Sequence, residues 1–132
     1  MTPTECAYVA GIIDGEGSIE FKRKPRIRRD RIGTPTYVTL IVRMEVPQVD
    51  GRLIDYLMET TKEGSRDMKH YPNNENWQDQ HRWRCGYRAV YRILKQIHHY
   101  LIIKREKAKQ VIDHYDKQFK KKTYGKGGFG AK

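Results

Sequence analysis

The stretch VAGIIDGEGS, residues 9–18, runs from an apolar segment into two acids interleaved with three small or glycine positions. From Thr4 to Asp14 the residues repeat with helical period. Cys6, Val9 and Ile13 share one face, and Ala7, Ala10, Gly11 and Asp14 a neighbouring one. The first face is bulky and the second small. Helix axes approach closely only where the contacting side chains are small, so the small face anticipates a partner helix; the alternative is that it packs on the chain's own sheet. Thr2 or Thr4 is placed to cap the start, and Gly15 and Gly17 are expected to stop the helix.

Beyond Ser18 the period changes to two. Ile19, Phe21 and Ile27 alternate with Glu20, Lys22, Lys24, Arg26 and Arg28, and after a turn near RDRIGTP, Val38, Leu40, Val42, Met44 and Val46 alternate with Thr39, Ile41, Arg43 and Glu45. This predicts a long hairpin with one inward face and one basic face. Asp50 caps a helix bearing Leu53, Ile54, Leu57 and Met58 and ended by Gly64. An irregular strand follows, then a fourth strand in HRWRCGYR, an amphipathic helix through Val90, Ile93, Leu94, Ile97 and Leu101, and a last one through Ala108, Val111, Ile112, Tyr115 and Phe119. The order is helix, two strands, helix, two strands, two helices, an α/β class. Residues 1–116 form one domain, and the Lys/Gly-rich 117–132 a mobile basic tail.

The chain has 132 residues, 27 Lys and Arg against 16 Asp and Glu, and a net charge of +11. That is enough chain for one core, and the charge is the footprint of a polyanion binder, nucleic acid ahead of an anionic membrane. No run approaches about 18 apolar residues, and MTPTECAYVA is unlike a signal peptide, so a soluble intracellular protein is expected. Cys6 and Cys85 sit inside apolar patterns and read as reduced core residues.

At Ala10, Gly11, Ile13, Asp14 and Gly17 the opening stretch resembles the signature of the LAGLIDADG homing endonucleases; Val9 and Ile12 are conservative replacements, while Gly15 and Glu16 depart from it. The resemblance implies an αββαββα fold whose curved four-stranded antiparallel sheet forms a DNA-binding saddle. It also implies a motif helix packed against its twin, with acids at the helix ends holding divalent metal over DNA. Since the motif occurs once, the twin must come from a second copy. A closed homodimer with Ala7, Ala10, Gly11 and Asp14 at its interface, reading a pseudo-palindromic site, is the economical arrangement.

On the same resemblance Glu16 is the metal ligand and the Gly15 carbonyl a second one. Mg²⁺ or Mn²⁺ would serve cleavage, and Ca²⁺ would support binding without it. Glu16 stands where the family frequently has Asp, carrying the carboxylate about one bond length further. Gln48, Arg52 and Lys104 fall where active single-motif members keep polar and basic residues around the scissile phosphate. Arg52 and Lys104 are otherwise solvated helix-end charges.

A twisted two-stranded ribbon fits the major groove, and its like-facing side chains reach base edges or phosphates. Glu20, Lys22, Lys24, Arg26, Arg28, Thr39, Ile41, Arg43 and Glu45 form that face, extended by Arg66, Arg82 and Arg84 from the second hairpin. The plainer reading is a solvated basic face. GKGGFG at 125–130 lacks the β-α-β context of a nucleotide loop, and His98, His99 and His114 lack zinc spacing. The expectation is a homodimeric, metal-dependent double-strand DNA homing endonuclease leaving 3′ overhangs, with no membrane partner. An intron RNA maturase and a cleavage-dead DNA-binding regulator are the alternatives.

Overall fold

The structure is a computed structural model and describes residues 1–27, 35–70, 72–73 and 78–124. Helix α1 spans Pro3–Glu16, strand β1 Ser18–Ile27, β2 Pro35–Gln48, helix α2 Gly51–Thr61, β3 Ser65–Lys69, β4 Gln80–Gly86, helix α3 Arg88–Ile97 and helix α4 Arg105–Tyr124, with a 3₁₀ turn at His98–Tyr100. The strands form one antiparallel sheet in the order β1-β2-β4-β3. This is the α/β order read from the sequence.

Strand alternation divides the sheet into two faces. Val42, Met44, Val46, Trp83 and Cys85 point to the side covered by the helices and are buried with Val9, Ile13, Ile54, Leu57, Val90, Leu94, Val111 and Ile112. Trp83 is wholly buried, and its indole N–H donates to the Glu63 carbonyl at 3.0 Å. Among the described residues no helix packs on the other face, which carries the charged alternates.

The ends of the elements depart from the sequence reading in four places. Thr2 caps α1 through a reciprocal capping box with Glu5, but Gly15 lies inside the helix and does not end it. Gly17 follows the helix with extended backbone (φ −96°); a Cβ there would stand 3.0 Å from the Ile13 Cα and 3.2 Å from the Glu45 carbonyl oxygen, so the site needs glycine for space. Helix α2 stops at Thr61 on the left-handed Lys62, and Gly64 comes after it. Helix α3 stops at Ile97, and Leu101 enters the core from beyond the 3₁₀ turn.

Helix α4 runs past Asp116 to Tyr124, with Phe119 packed on the core and 5.3 Å from the Tyr91 ring. The tail expected from residue 117 is therefore helical as far as Tyr124, and residues 125–132 lie outside the described part. Ile27, expected inward, is exposed, and the β1–β2 register shifts between Arg26 and Ile27. Among the described residues no helix is long and apolar enough to cross a membrane.

Candidate nucleic-acid interface and acidic helix end

At the C-terminal end of α1 the Asp14 carboxylate accepts the backbone N–H groups of Ile102 (2.7 Å), Ile103 (3.2 Å) and Lys104 (3.1 Å). The Lys104 ammonium donates to the Asp14 carbonyl oxygen at 2.9 Å. An acid at the start of α4 answers the positive end of that helix, and a lysine at the end of α1 answers its unpaired carbonyls. The two helix ends are thereby fastened together, and the residue that Lys104 grips, Asp14, lies two before Glu16 in sequence.

Glu16 is exposed and borders a hollow with Ser18, Glu45, Pro47, Lys69, Gln80 and Arg82 on the charged side of the sheet. Gln48 and Arg52 line a different hollow, with Tyr8, Asp50, Leu53 and Tyr56. Register explains the separation: Pro47 stands opposite Arg82, so Gln48, opposite His81, points to the helix side. Its side-chain oxygen accepts the Val49 N–H at 2.9 Å.

Arg52 is forked onto Asp50, Nε to Oδ1 at 3.0 Å and Nη2 to Oδ2 at 2.6 Å. That guanidinium and the Arg52 backbone N–H hold the Asp50 carboxyl down at about 2. Of the residues assigned to catalysis, one chain thus gathers Lys104 at the Glu16 end of α1 and leaves Gln48 and Arg52 aside.

Among the described residues no group of three or more His, Cys, Asp or Glu side chains could hold a metal. The Glu16 carboxylate and the last-turn carbonyls, Gly15 included, are hard oxygen donors of the kind magnesium takes. They suit such an ion in kind, and one copy supplies too few of them.

The uncovered face of the sheet carries Glu20, Lys22, Lys24, Arg26, Thr39, Ile41, Arg43, Glu45, Arg82 and Arg84, as the alternation predicts. Arg28 lies outside the described residues. Arg66 is a correction: it stands opposite Trp83 and so points to the helix side, where it pairs with Asp55 of α2 and meets the His81 ring nitrogen at 3.1 Å. Three acids thread the basic face. Glu20 contacts Lys22 at 2.7 Å and Arg43 at 3.1 Å, and these cations, Lys22 foremost, hold its carboxyl below the usual range. Asp67 engages both Arg82 and Arg84, and Glu45 lies near both.

On α1, Ala7 and Gly11 are exposed as expected, and nothing stands within 4 Å of a Cβ built on Gly11 or Gly15. Ala10 is a correction, because Cys6, Ala10 and Ile13 share the stripe that faces the chain's own core and Ala10 is fully buried. Asp14, half-buried at the end of α1, turns its carboxylate to backbone N–H groups of its own chain. Sequence reasoning missed Tyr8, Ile102 and Ile103, which are 55%, 80% and 75% exposed. Two consecutive isoleucines outside the helical period, beside Lys104, were the available signal.

No protein-family model and no curated protein matches the sequence. Solved structures do. The homing endonuclease I-CvuI in complex with its target in the presence of calcium superposes with a TM-score of 0.64 at 19% identity, over 91% of this chain and 68% of that one. An I-CvuI complex with magnesium, described as revealing DNA not cleaved, gives 0.63 at 17%, over 83% of this chain and 64% of that one. The LAGLIDADG homing endonuclease I-GzeII in complex with its DNA target gives 0.60 at 16%, over 99% of this chain and 40% of that one. The chain has the LAGLIDADG homing-endonuclease fold. It spans a little under two thirds of the I-CvuI chain in the magnesium complex and less than half of I-GzeII.

Proposed function

We propose that this chain is a single-motif LAGLIDADG protein acting as a homodimeric, divalent-metal-dependent, site-specific double-strand DNA endonuclease, cutting a pseudo-palindrome to leave 3′ overhangs. The observation that carries the reading is the joined helix end. An exposed Glu16 borders the charged face of the sheet, and Lys104 is fixed to the carbonyl of Asp14, two residues before it on the same helix end.

Each step has a residue suited to it. The alternating cations of β1, β2 and β4 bind phosphates and base edges along a groove. The exposed stripe of Ala7, Gly11 and Gly15, flanked by Tyr8 and Ile103, suits close approach of a second copy of α1. Such an approach brings two Glu16 carboxylates together, where their repulsion favours a shared hard cation. Magnesium bound there would supply Lewis-acid activation in phosphodiester displacement. Lys104 stabilises added negative charge on the phosphate. Gln48 and Arg52 enter only by turning away from Val49 and Asp50, and both are near enough to the surface to do so.

Selection from a randomised duplex library with magnesium and with calcium tests the reading. Cutting with magnesium alone, lost in Glu16→Gln with binding retained, is the expected result. Sequence-selective binding with no cutting in either metal would favour the cleavage-dead regulator, and preference for intron RNA over every duplex the maturase.

A further inference from the structure

Asp67 is one of three acids, with Glu20 and Glu45, on a surface that otherwise collects positive charge. It stands opposite Arg82 in the β3–β4 register and takes its guanidinium through two hydrogen bonds, Nε to Oδ1 at 2.9 Å and Nη2 to Oδ2 at 3.0 Å. The same Oδ2 accepts from Arg84 Nη2 at 2.9 Å. Arg84 Nη1 lies 3.9 Å from Glu45 Oε1, beyond hydrogen-bond length, so Arg84 is held by one nitrogen where Arg82 is held by two. Arg84 also borders an open hollow with Thr39, Ile41, Arg43 and Ser65, on the helix-free side.

Stability does not explain this cluster. The three side chains are 27%, 38% and 36% exposed, and ion pairs so accessible contribute little to folding. A carboxylate there also repels the phosphates that the surrounding cations attract. What the arrangement does provide is orientation. Arg82 and Arg84 lie two apart on one strand face and would repel and sample many rotamers if unpaired. A shared carboxylate with one arginine bidentate upon it fixes the plane of the other.

We propose that Asp67, braced by Arg82, is a positioning residue that holds the Arg84 guanidinium for bidentate reading of a guanine in the major groove. The inference rests on the DNA-binding reading above. Guanine presents the O6 and N7 acceptor pair that a fixed arginine fork matches, and a flexible arginine falls back on phosphate, which carries no sequence information.

The test uses the full chain. Duplexes selected from a randomised library by the wild type are compared with those selected by Asp67→Asn, Asp67→Glu and Arg84→Lys. The expected result is a guanine preference at one position of each half-site that falls about tenfold in both Asp67→Asn and Arg84→Lys and is partly restored in Asp67→Glu. In parallel, Asp67→Asn should bind random duplex more tightly, with a steeper salt dependence, which a merely structural role would not produce. A folded Asp67→Asn with the wild-type base preference overturns the proposal while leaving the DNA-binding reading in place. If the wild type selects no sequence, that reading fails and this one with it.

Discussion

The Asp14 carboxylate receives the backbone N–H of Ile102 at 2.7 Å across 88 residues of sequence, and this bond, with those from Ile103 and Lys104, sets the end of α1 against the start of α4. Asp14→Ala leaves three amides without their acceptor and removes a negative charge from a helix N-terminus. A loss of about 2 to 3 kcal/mol in urea unfolding is expected, with Asp14→Asn losing about half as much. A loss under about 0.5 kcal/mol would mean that water replaces the carboxylate at no cost.

Gly64 sits at φ 86°, and an added Cβ would lie 2.7 Å from both the Arg84 carbonyl oxygen and the Trp83 indole nitrogen. Neither atom can retreat, because one belongs to the sheet and the other is bonded to Glu63. Gly64→Ala should therefore destabilise the fold by about 2 kcal/mol or more, read by thermal or urea unfolding. Gly15→Ala, inside α1 with open space around its Cβ, should leave a single copy as stable or slightly more so.

The contrast between these glycines shows where sequence reasoning stops. The element order and both sheet faces were legible, because periods of 3.6 and 2 are properties of the chain alone. Whether a glycine serves backbone freedom or space depends on what packs beside it, and Gly17 ends α1 as expected but is needed there for space. Arg66 was misplaced: five residues of β3 carry too few apolar positions to fix which way the strand faces, and its register comes from pairing with β4. In the candidate site, Glu16 and Lys104 were brought to one helix end, while the Asp50 grip on Arg52 is a local ion pair that no motif announces.

Burial pushes the Cys85 thiol up to about 12 from 9.0, with Glu63 adding to the rise and Arg92 opposing it. A thiol whose folded value is raised contributes stability that is fully present below the unfolded value, and that stability is lost as pH rises from about 9 towards 12. In a Cys6→Ser background, alkylation of Cys85 in the native protein should be about a hundredfold or more slower than that of an ordinary thiol at every pH between about 7 and 8.5, because the thiolate is the nucleophile. Addition of urea should raise the rate to that of an ordinary thiol. Native labelling as fast as that in urea would show that the strand opens at this point.

The last prediction separates the fold of one copy from the pairing of two. Gly11 is exposed on α1 with nothing within 4 Å of its Cβ position, so within one chain a side chain there meets only solvent. Gly11→Leu should therefore fold, with monomer stability equal to wild type or higher by about 0.5 to 1 kcal/mol, because glycine inside a helix is unfavourable. If α1 packs on its twin, the same leucine holds the helix axes apart, since interaxial distance follows contact side-chain size. Sedimentation velocity should then show dimers for the wild type and single chains for Gly11→Leu, and Ile103→Asp should do the same from the flanking loop, where Ile103 is 75% exposed. Dimers of undiminished strength in both variants would move the interface off α1 and, with it, the meeting of the two Glu16 carboxylates.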